Sequence, residues 1–342
     1  MVQIPVQETY KLIEDMFLKN DVPAKQAEIF ADMLVSAEQR GVHTHGITCA
    51  TRYIKDMQKG LMKRETTWKI ERSFGATQVW DGQRGSGQVL GYYGMKVAME
   101  LAKKFGIGVV AIKKANHFGA AAYYAQMAQK QGMIGMAIGT GDSTMAPWGG
   151  ADKAIGNNPV AIAVPTDKEV APVLDMAQSV VANGKVTNLR KQGIKTIPEG
   201  WALDKDGQPT TKMEDFHSIT PMCGYKGWGS AFMVDVMAGV LFGGGTGDRA
   251  KDYADGPGML LIAWNIEAFN DKETFLHDMD ARIHELKSVR LAKGSKGIMV
   301  PGEPEARTEA ACQETMQVVP EILDEVNTMA ESLGLKPVKP LD

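Results

Sequence analysis

The stretch Gly106–Gly139, "GIGVVAIKKANHFGAAAYYAQMAQKQGMIGMAIG", decides the fold class. Its opening, "GIGVVAIKK", is rich in β-branched residues and bounded by glycine, which reads as a strand. "MIGMAIG" at its end reads the same way. Between them, "NHFGAAAYYAQMAQKQG" is dominated by good helix formers and stops at a glycine. The rhythm continues outward, with a strand "TQVWDG" and a helix through "GMKVAMELAKKF" upstream, and two strands, "NNPVAIAVP" and "APVLDM", downstream. This β-α-β-α-β alternation predicts a mixed or parallel sheet covered by helices.

Before it the pattern is helical. In "NDVPAKQAEIFADMLVSAEQRG", Ile29, Phe30, Met33, Leu34 and Ala37 recur at helical spacing until Gly41, with Asp21 placed to cap the start and Pro23 suited to the first turn. "TRYIKDMQKG" has the same period, predicting a further helix from the histidine-bearing stretch "RGVHTHGITCATRYI" to Gly60. Downstream, Gly184–Ser218 is polar and punctuated by glycine and proline, an extended excursion. A helix over "GWGSAFMVDVMAGVLFG", a strand "GMLLIAWNI", a helix over Lys272–Leu286 and a last helix after Pro320 follow it.

Length and composition set bounds. A chain of 342 residues has room for more than one domain of ~100–200 residues. Its hydrophobic share of 44% and charged share of 23% are those of an ordinary globular protein. With 38 basic and 41 acidic residues intermingled, there is no basic field to neutralise a run of phosphates, which argues against a nucleic-acid partner. The three cysteines, Cys49, Cys223 and Cys312, show no C-x-x-C pairing and suit a reduced, intracellular setting. Glu8, Glu14 and Asp15 interrupt the apolar core a signal peptide needs. The most apolar segment, "SAFMVDVMAGVLFGGG", carries Asp235 and falls short of the ~20 apolar residues of a membrane span. A cytoplasmic protein with no membrane contact is expected.

Several motifs carry chemistry, each with a plainer competitor. "GQRGSGQVLG" follows a strand and opens a helix, but its glycines at 85, 87 and 91 miss the G-x-G-x-x-G spacing by one residue. A glycine-rich helix start serving as a turn is the better reading. His117 falls between a strand end and a helix start, where open sheets place ligands, although a solvated loop histidine would look the same. Asp175 ends an apolar strand in "PVLDMAQS", and helix capping is a compatible role. "GYKGWGS", Gly224–Ser230, combines exposed backbone N–H groups with Lys226, a pairing that holds phosphate at a helix N-terminus; glycines used for tight packing are the alternative. "HTHG" brings His43 and His45 close together. A metal-dependent hydrolase built on His43, His45 and His117 would need further ligands, and none stands at a diagnostic spacing such as H-E-x-x-H. A catalytic histidine pair is chemically broader, because imidazole titrates near ~6.5 and both gives and takes protons at neutral pH. If helix begins at His45, Cys49 and Arg52 follow at i+4 and i+7 on the same face.

As a set, these blocks resemble the malate/L-lactate dehydrogenase family, which also contains L-sulfolactate, ureidoglycolate and diketogulonate dehydrogenases and piperideine-2-carboxylate reductases. "RGVHTHG" looks like the family's R-G-x-x-S-H-G, "NHFGAAAYYA" its N-H-F-G with a following tyrosine, and "GGADKAIGNNPVAIAVP" its G-G…G-T-N-P run. "VLDMAQSVVANGKV" is similar to L-D-M-A-T-S…G-K, "GYKGWGSAFMVDVMAGVL" to the G-Y-K-G-x-G block and "VPGEPE" to P-G-E. The likeness covers nearly the whole chain. It implies an α/β (α+β) fold in which a helical N-terminal domain, residues 1–70, completed by C-terminal helices in 300–342, packs with a mixed-sheet cofactor and substrate domain, 71–299, of non-Rossmann topology. It implies NAD or NADP as cofactor, a homodimer, and hydride transfer between nicotinamide and C2 of a small 2-hydroxy or 2-oxo acid; reduction of a cyclic imine is the alternative within the family. By position, His45 corresponds to the proton donor, Thr44 to the hydroxyl that orients it, and His117 to a second active-site histidine. Asp175, Met176, Ala177, Gln178 and Ser179 correspond to the cofactor-binding loop, with Tyr225, Lys226, Pro301, Gly302 and Glu303. Thr140 and Gly141 lie where relatives also touch the cofactor.

Departures from the pattern bear on the substrate. Relatives carry an arginine four residues after the S-H-G histidine; Cys49 stands there, and a thiol cannot make a bidentate charge-assisted pair with a carboxylate. Either Arg52, on the same helix face with Tyr53 beside it, takes over, or the substrate is not a standard small 2-oxo acid. Gln178 stands in place of threonine, and Gly141 where asparagine or serine is frequent.

Overall fold

The computed structural model describes residues 1–251 and 256–341. β1 (Val2–Pro5) leads into three helices, α1 (Val6–Leu18), α2 (Ala24–Gln39) and α3 (Thr48–Gln58). The α/β region follows as β2 (Lys69–Phe74), β3 (Thr77–Asp81), α4 (Gly87–Phe105), β4 (Ile107–Lys113), α5 (Ala121–Gln129), β5 (Met133–Gly139), β6 (Val160–Ala163) and β7 (Val173–Met176). The excursion holds α6 (Asn183–Lys191) and the short strands β8 (Ala202–Leu203), β9 (Pro209–Thr210) and β10 (Ser218–Ile219). Then come α7 (Tyr225–Ala238), α8 (Asp248–Lys251), β11 (Met259–Asn265), α9 (Lys272–Lys287), α10 (Glu303–Ala311), β12 (Thr315–Val318) and α11 (Pro320–Ser332).

The main sheet has the order β2-β3-β4-β11-β5-β6-β7. Among its described strands only β3 and β4 pair in parallel. The β4–α5–β5 crossover leaves its two strands apart, and β11, antiparallel to both, fills the gap: Leu261 stands opposite Val110 on one side and Ala137 on the other. The sheet is therefore mixed, unlike the doubly wound parallel sheet of the standard dinucleotide fold. Strand alternation sorts its two faces. Val110, Ile112, Ala137 and Leu261 pack under α4 and α5, while Ala111, Ile138 and Leu260 pack against Val234 and Ala238 of α7.

A second core gathers Ile13 and Phe17 of α1, Phe30 and Leu34 of α2, Tyr53 of α3, and Leu323 and Val326 of α11. β1 pairs antiparallel with β12, so both ends of the chain share this layer. The excursion is not simply extended, because β10, β8 and β9 form a small sheet over a core of its own that includes Val186, Ile197, Ala202 and Ile219.

Two helix starts differ from the sequence reading. Asp21 does not cap α2; it adopts φ +60° in the turn between α1 and α2, a left-handed conformation Asp tolerates, and the N-cap is Pro23. The helix after the histidines begins only at Thr48, since His43–His45 form a single 3-10 turn and Gly46 then takes extended backbone angles. The glycines of "GQRGSG" serve packing. Ser86 Oγ caps α4 by accepting from the N–H groups of Gln88 and Val89, and a Cβ on Gly87 would lie 2.3 Å from the carbonyl oxygen of Asn116. That close approach sets the loop after β4 against the start of α4. Among the described residues no helix is long and apolar enough to cross a membrane.

Candidate active site

The turn between α2 and α3 meets the loop between β4 and α5, and most of the polar side chains singled out in the sequence converge there. The Thr44 hydroxyl lies 3.0 Å from His45 Nδ1, so the nitrogen left for a ligand is Nε2. The His45 and His117 rings lie nearly parallel, 14° apart, with centroids separated by 5.6 Å. Tyr53, fully buried on α3, places its hydroxyl 2.7 Å from His117 Nδ1. The Gly119 N–H also points at that nitrogen, at 3.4 Å. A backbone N–H can only donate, so Nδ1 of His117 is the acceptor, Tyr53 donates to it, and the neutral ring carries its proton on Nε2.

Arg52 and Cys49 complete the cluster. The Arg52 guanidinium lies over the Tyr53 ring, 5.0 Å from its centroid, on the solvent side of α3. Cys49 is buried and its thiol donates to the Thr44 carbonyl at 3.5 Å, which ties the start of α3 to the histidine turn. Burial pushes this thiol up, keeping it neutral. Burial, and after it the Arg52 charge, lowers His45 to about 4. The same two causes, with His45 third, hold His117 well below the ordinary imidazole range. Both rings are therefore neutral at pH 7. His43 does not join them. Its Nδ1 lies 2.5 Å from Glu38 Oε1 and its affinity for a proton is raised by that carboxylate. With His43 on Glu38 and His117 on Tyr53, the three histidines do not converge on one point, and among the described residues no group of three or more side chains could hold a metal ion.

The segments assigned to the cofactor are stitched to one another. Gly141 N–H donates to Asn158 Oδ1 at 3.1 Å, Gln178 N–H donates to the Asn157 carbonyl at 2.7 Å, and the Gln178 carbonyl accepts from Met222 N–H at 2.9 Å. Thr140–Gly141, the loop Asp175–Ser179 and the turn before Tyr225 and Lys226 thus form one continuous rim. Tyr225 and Lys226 are exposed, and α7 starts behind Gly224 (φ +65°) without a side-chain cap; the Gly227 N–H donates to the Met222 carbonyl at 2.8 Å, which leaves those of Tyr225 and Lys226 to face an anion. Gln178 Oε1 is buried with no partner, a polar atom awaiting a donor. Asp175, on β7, accepts from Ala122 N–H at 2.8 Å and so caps α5; desolvation raises its carboxyl to about 6. Other assigned groups are already engaged. Thr140 Oγ1 donates to Gly245 O at 2.7 Å and accepts from Gly258 N–H at 2.9 Å, which joins β5 to the start of β11. Glu303 is buried and paired with Lys287 at 3.0 Å and Arg307 at 2.7 Å, so its carboxylate faces inward. Pro301 accepts from Val173 N–H at 2.8 Å and Gly302, at φ +78°, lies hard against Val173, so this turn braces β7.

A family model described as malate/L-lactate dehydrogenase matches residues 4–327. The chain belongs to the malate/L-lactate dehydrogenase family. It is a dehydrogenase of the kind that acts on CH–OH groups. A malate dehydrogenase of Pyrococcus abyssi is 36% identical to it over 349 residues, spanning 98% of this chain and 96% of that one. The solved structure of sulfolactate dehydrogenase from Methanocaldococcus jannaschii superposes with a TM-score of 0.90 at 36% identity, covering 98% of both chains. That of malate dehydrogenase from Entamoeba histolytica gives 0.92 at 26% identity, covering 97% and 98%. Relatives at 31% and 30% identity bear NAD(+) and NADP(+) in their names.

Sequence reasoning on this family member missed Glu38 and Asn158. Glu38 falls one helical turn after Leu34 on the apolar stripe of α2, and an acid on such a stripe was the available signal. Asn158, at φ +34°, also reaches Asp235 Oδ1 at 2.7 Å, a contact across 77 positions that no local pattern announces.

Proposed function

We propose that this dehydrogenase oxidises a small 2-hydroxy acid, or reduces the matching 2-oxo acid, with NAD or NADP, and that His45 is its general base and acid. The observation that carries the reading is the neutral His45–His117 pair, 5.6 Å apart, with the Arg52 guanidinium beside it. The nicotinamide, when bound along the rim from Thr140 to Lys226, supplies the hydride acceptor or donor. The chain's residues do the rest. A resting neutral His45 is ready to take the substrate hydroxyl proton on Nε2, while Thr44 fixes the ring through Nδ1. His117, its Nδ1 held by Tyr53, presents an Nε2–H that donates to the substrate oxygen and stabilises charge developing there. Arg52 pairs with the substrate carboxylate in place of the arginine that Cys49 replaces. Such a pair offsets the charge that depresses His45, so an anionic substrate raises the basicity of the group that is to deprotonate it.

A homodimer belongs to the same reading. The exposed face of α7 and the turn after it carry Phe232, Met233, Val240 and Leu241, a surface more apolar than a lone protomer ordinarily shows to water.

The test is a panel of 2-oxo acids, sulfonated analogues and cyclic imines offered with NADH and with NADPH, following nicotinamide absorbance. Turnover of a 2-oxo acid supports the proposal, and turnover of a cyclic imine alone moves the chain to the reductases of the family. Failure to bind either reduced cofactor would remove it.

A further inference from the structure

Glu38 has no assigned role, yet its side chain is wholly withdrawn from water in the last turn of α2. No lysine or arginine neutralises it within the described contacts; Arg40, two residues on, pairs with Glu309 instead. A buried carboxylate persists only where hydrogen bonds offset its desolvation. Both of its oxygens are engaged by the segment that carries His45. Oε1 lies 2.5 Å from His43 Nδ1 and Oε2 accepts from Ile47 N–H at 3.0 Å, on either flank of Thr44 and His45. A Cβ on Gly46 would stand 1.9 Å from Oε2, so the glycine after His45 is what admits the carboxylate.

The segment needs such a grip. It is a single 3-10 turn with no fully buried side chain, and short 3-10 turns have poor hydrogen-bond geometry of their own. Charge-assisted bonds to a rigid helix are the stronger restraint. The other titratable neighbours act elsewhere: Cys49 holds the Thr44 carbonyl from α3, and Arg52 acts on His45 and His117. We propose that Glu38 is a positioning residue, whose carboxylate bridges His43 and the Ile47 amide and thereby aims His45 into the site.

The inference rests on His45 as the reactive base, and its test includes a readout independent of turnover. Histidine Cε1 is isotopically labelled, and the His45 signal is assigned by its loss in His45→Gln. In the parent protein His45 titrates at about 4. In Glu38→Ala the ring is released to water and its midpoint rises toward the ~6.5 of a free imidazole. Glu38→Gln retains an oxygen for the Ile47 amide, and its NH2 serves His43 only while that ring is neutral, so the His45 midpoint lies between those of the parent and Glu38→Ala. With the substrate found by the panel, kcat falls on the order of 10–100-fold in Glu38→Ala, as expected for a misplaced catalytic group, while NADH affinity is kept and Glu38→Gln recovers most of the rate. A folded Glu38→Ala protein whose His45 titrates as in the parent overturns the proposal, and so does a Glu38→Gln protein whose midpoint is as high as that of Glu38→Ala. Should Glu38→Ala not fold, His43→Ala removes one of the two grips; a raised His45 midpoint then supports the proposal and an unchanged one overturns it. If no substrate of the panel is turned over, the proposed function fails while the titration still decides the role of Glu38.

Discussion

Removing one oxygen atom tests the tautomer assigned to His117. Tyr53→Phe deletes the hydroxyl that donates to His117 Nδ1 at 2.7 Å and leaves the buried ring in place. A buried acceptor deprived of its donor costs ~1–3 kcal/mol, and here the 3.4 Å Gly119 N–H remains as partial compensation, which places the expected loss at about 1–2 kcal/mol. The informative measurement is a double-mutant cycle by urea unfolding, with tryptophan fluorescence as the signal. In a His117→Ala background the Tyr53 hydroxyl keeps only its contacts with Cys49 and Arg52, so deleting it costs little. The coupling between the two positions is therefore about 1–2 kcal/mol. Equal costs for Tyr53→Phe in both backgrounds would refute the hydrogen bond and the Nε2–H tautomer deduced from it. With a substrate available, Tyr53→Phe should also lower kcat by roughly 5–30-fold, the kinetic equivalent of that energy.

Other perturbations reach the same cluster. His45→Ala should lower kcat by ~10²–10⁴-fold with cofactor affinity nearly unchanged, and an unaltered kcat takes His45 out of the proton-transfer role. Because His45 titrates at about 4 when folded and near ~6.5 when unfolded, the unfolded chain binds more protons between those values; stability is present above pH 6.5 and is lost on acidification toward pH 4, by on the order of 2–3 kcal/mol, with His117 adding in the same direction. Unfolding curves of the parent and His45→Gln at pH 7 and pH 4.5 measure this, and a parent no more acid-sensitive than the variant contradicts it. Arg52→Ala should raise KM for a carboxylate substrate by roughly 10–100-fold, the loss of a charge-assisted hydrogen bond, and should also raise the pKa of His45 by removing a neighbouring positive charge. A KM within twofold of the parent would place the carboxylate anchor elsewhere.

The sequence made the elements legible wherever one residue period ran uninterrupted. β4, β5 and β11 each carry an unbroken apolar run and were readable directly, and Pro320 marked the start of α11. What could not be read was adjacency. Nothing local tells β11 to enter between β4 and β5, because that choice is made by side-chain packing on both faces of a sheet already half assembled. The site divides along the same line. His45, Arg52 and Tyr53 share one short segment and could be associated by spacing, while the Tyr53–His117 bond spans 64 positions and needed the fold. Asp175 illustrates the limit well: capping was foreseen, yet the helix it caps, α5, was completed some 50 residues earlier in the chain. Thr140 and Glu303 illustrate the converse, since family position pointed to a ligand and the structure engages both side chains internally.

The late arrival of β11 shapes how the chain comes to be folded at all. During synthesis β3, α4, β4, α5 and β5 leave the ribosome first, and residues 140–258 must follow before the strand that separates β4 from β5 exists. Until then both strands carry an open edge of unpaired N–H and C=O groups flanked by valine, isoleucine and methionine, the surface on which neighbouring nascent chains pair. Completion therefore waits for a long loop to close, slow by the measure of contact order. A fragment ending before Met259 should be insoluble however well its own βαβ unit is formed, and co-expression of the missing C-terminal piece should rescue it. The central strand of this enzyme is thus also a checkpoint, since only a chain extended through Asn265 can close the sheet.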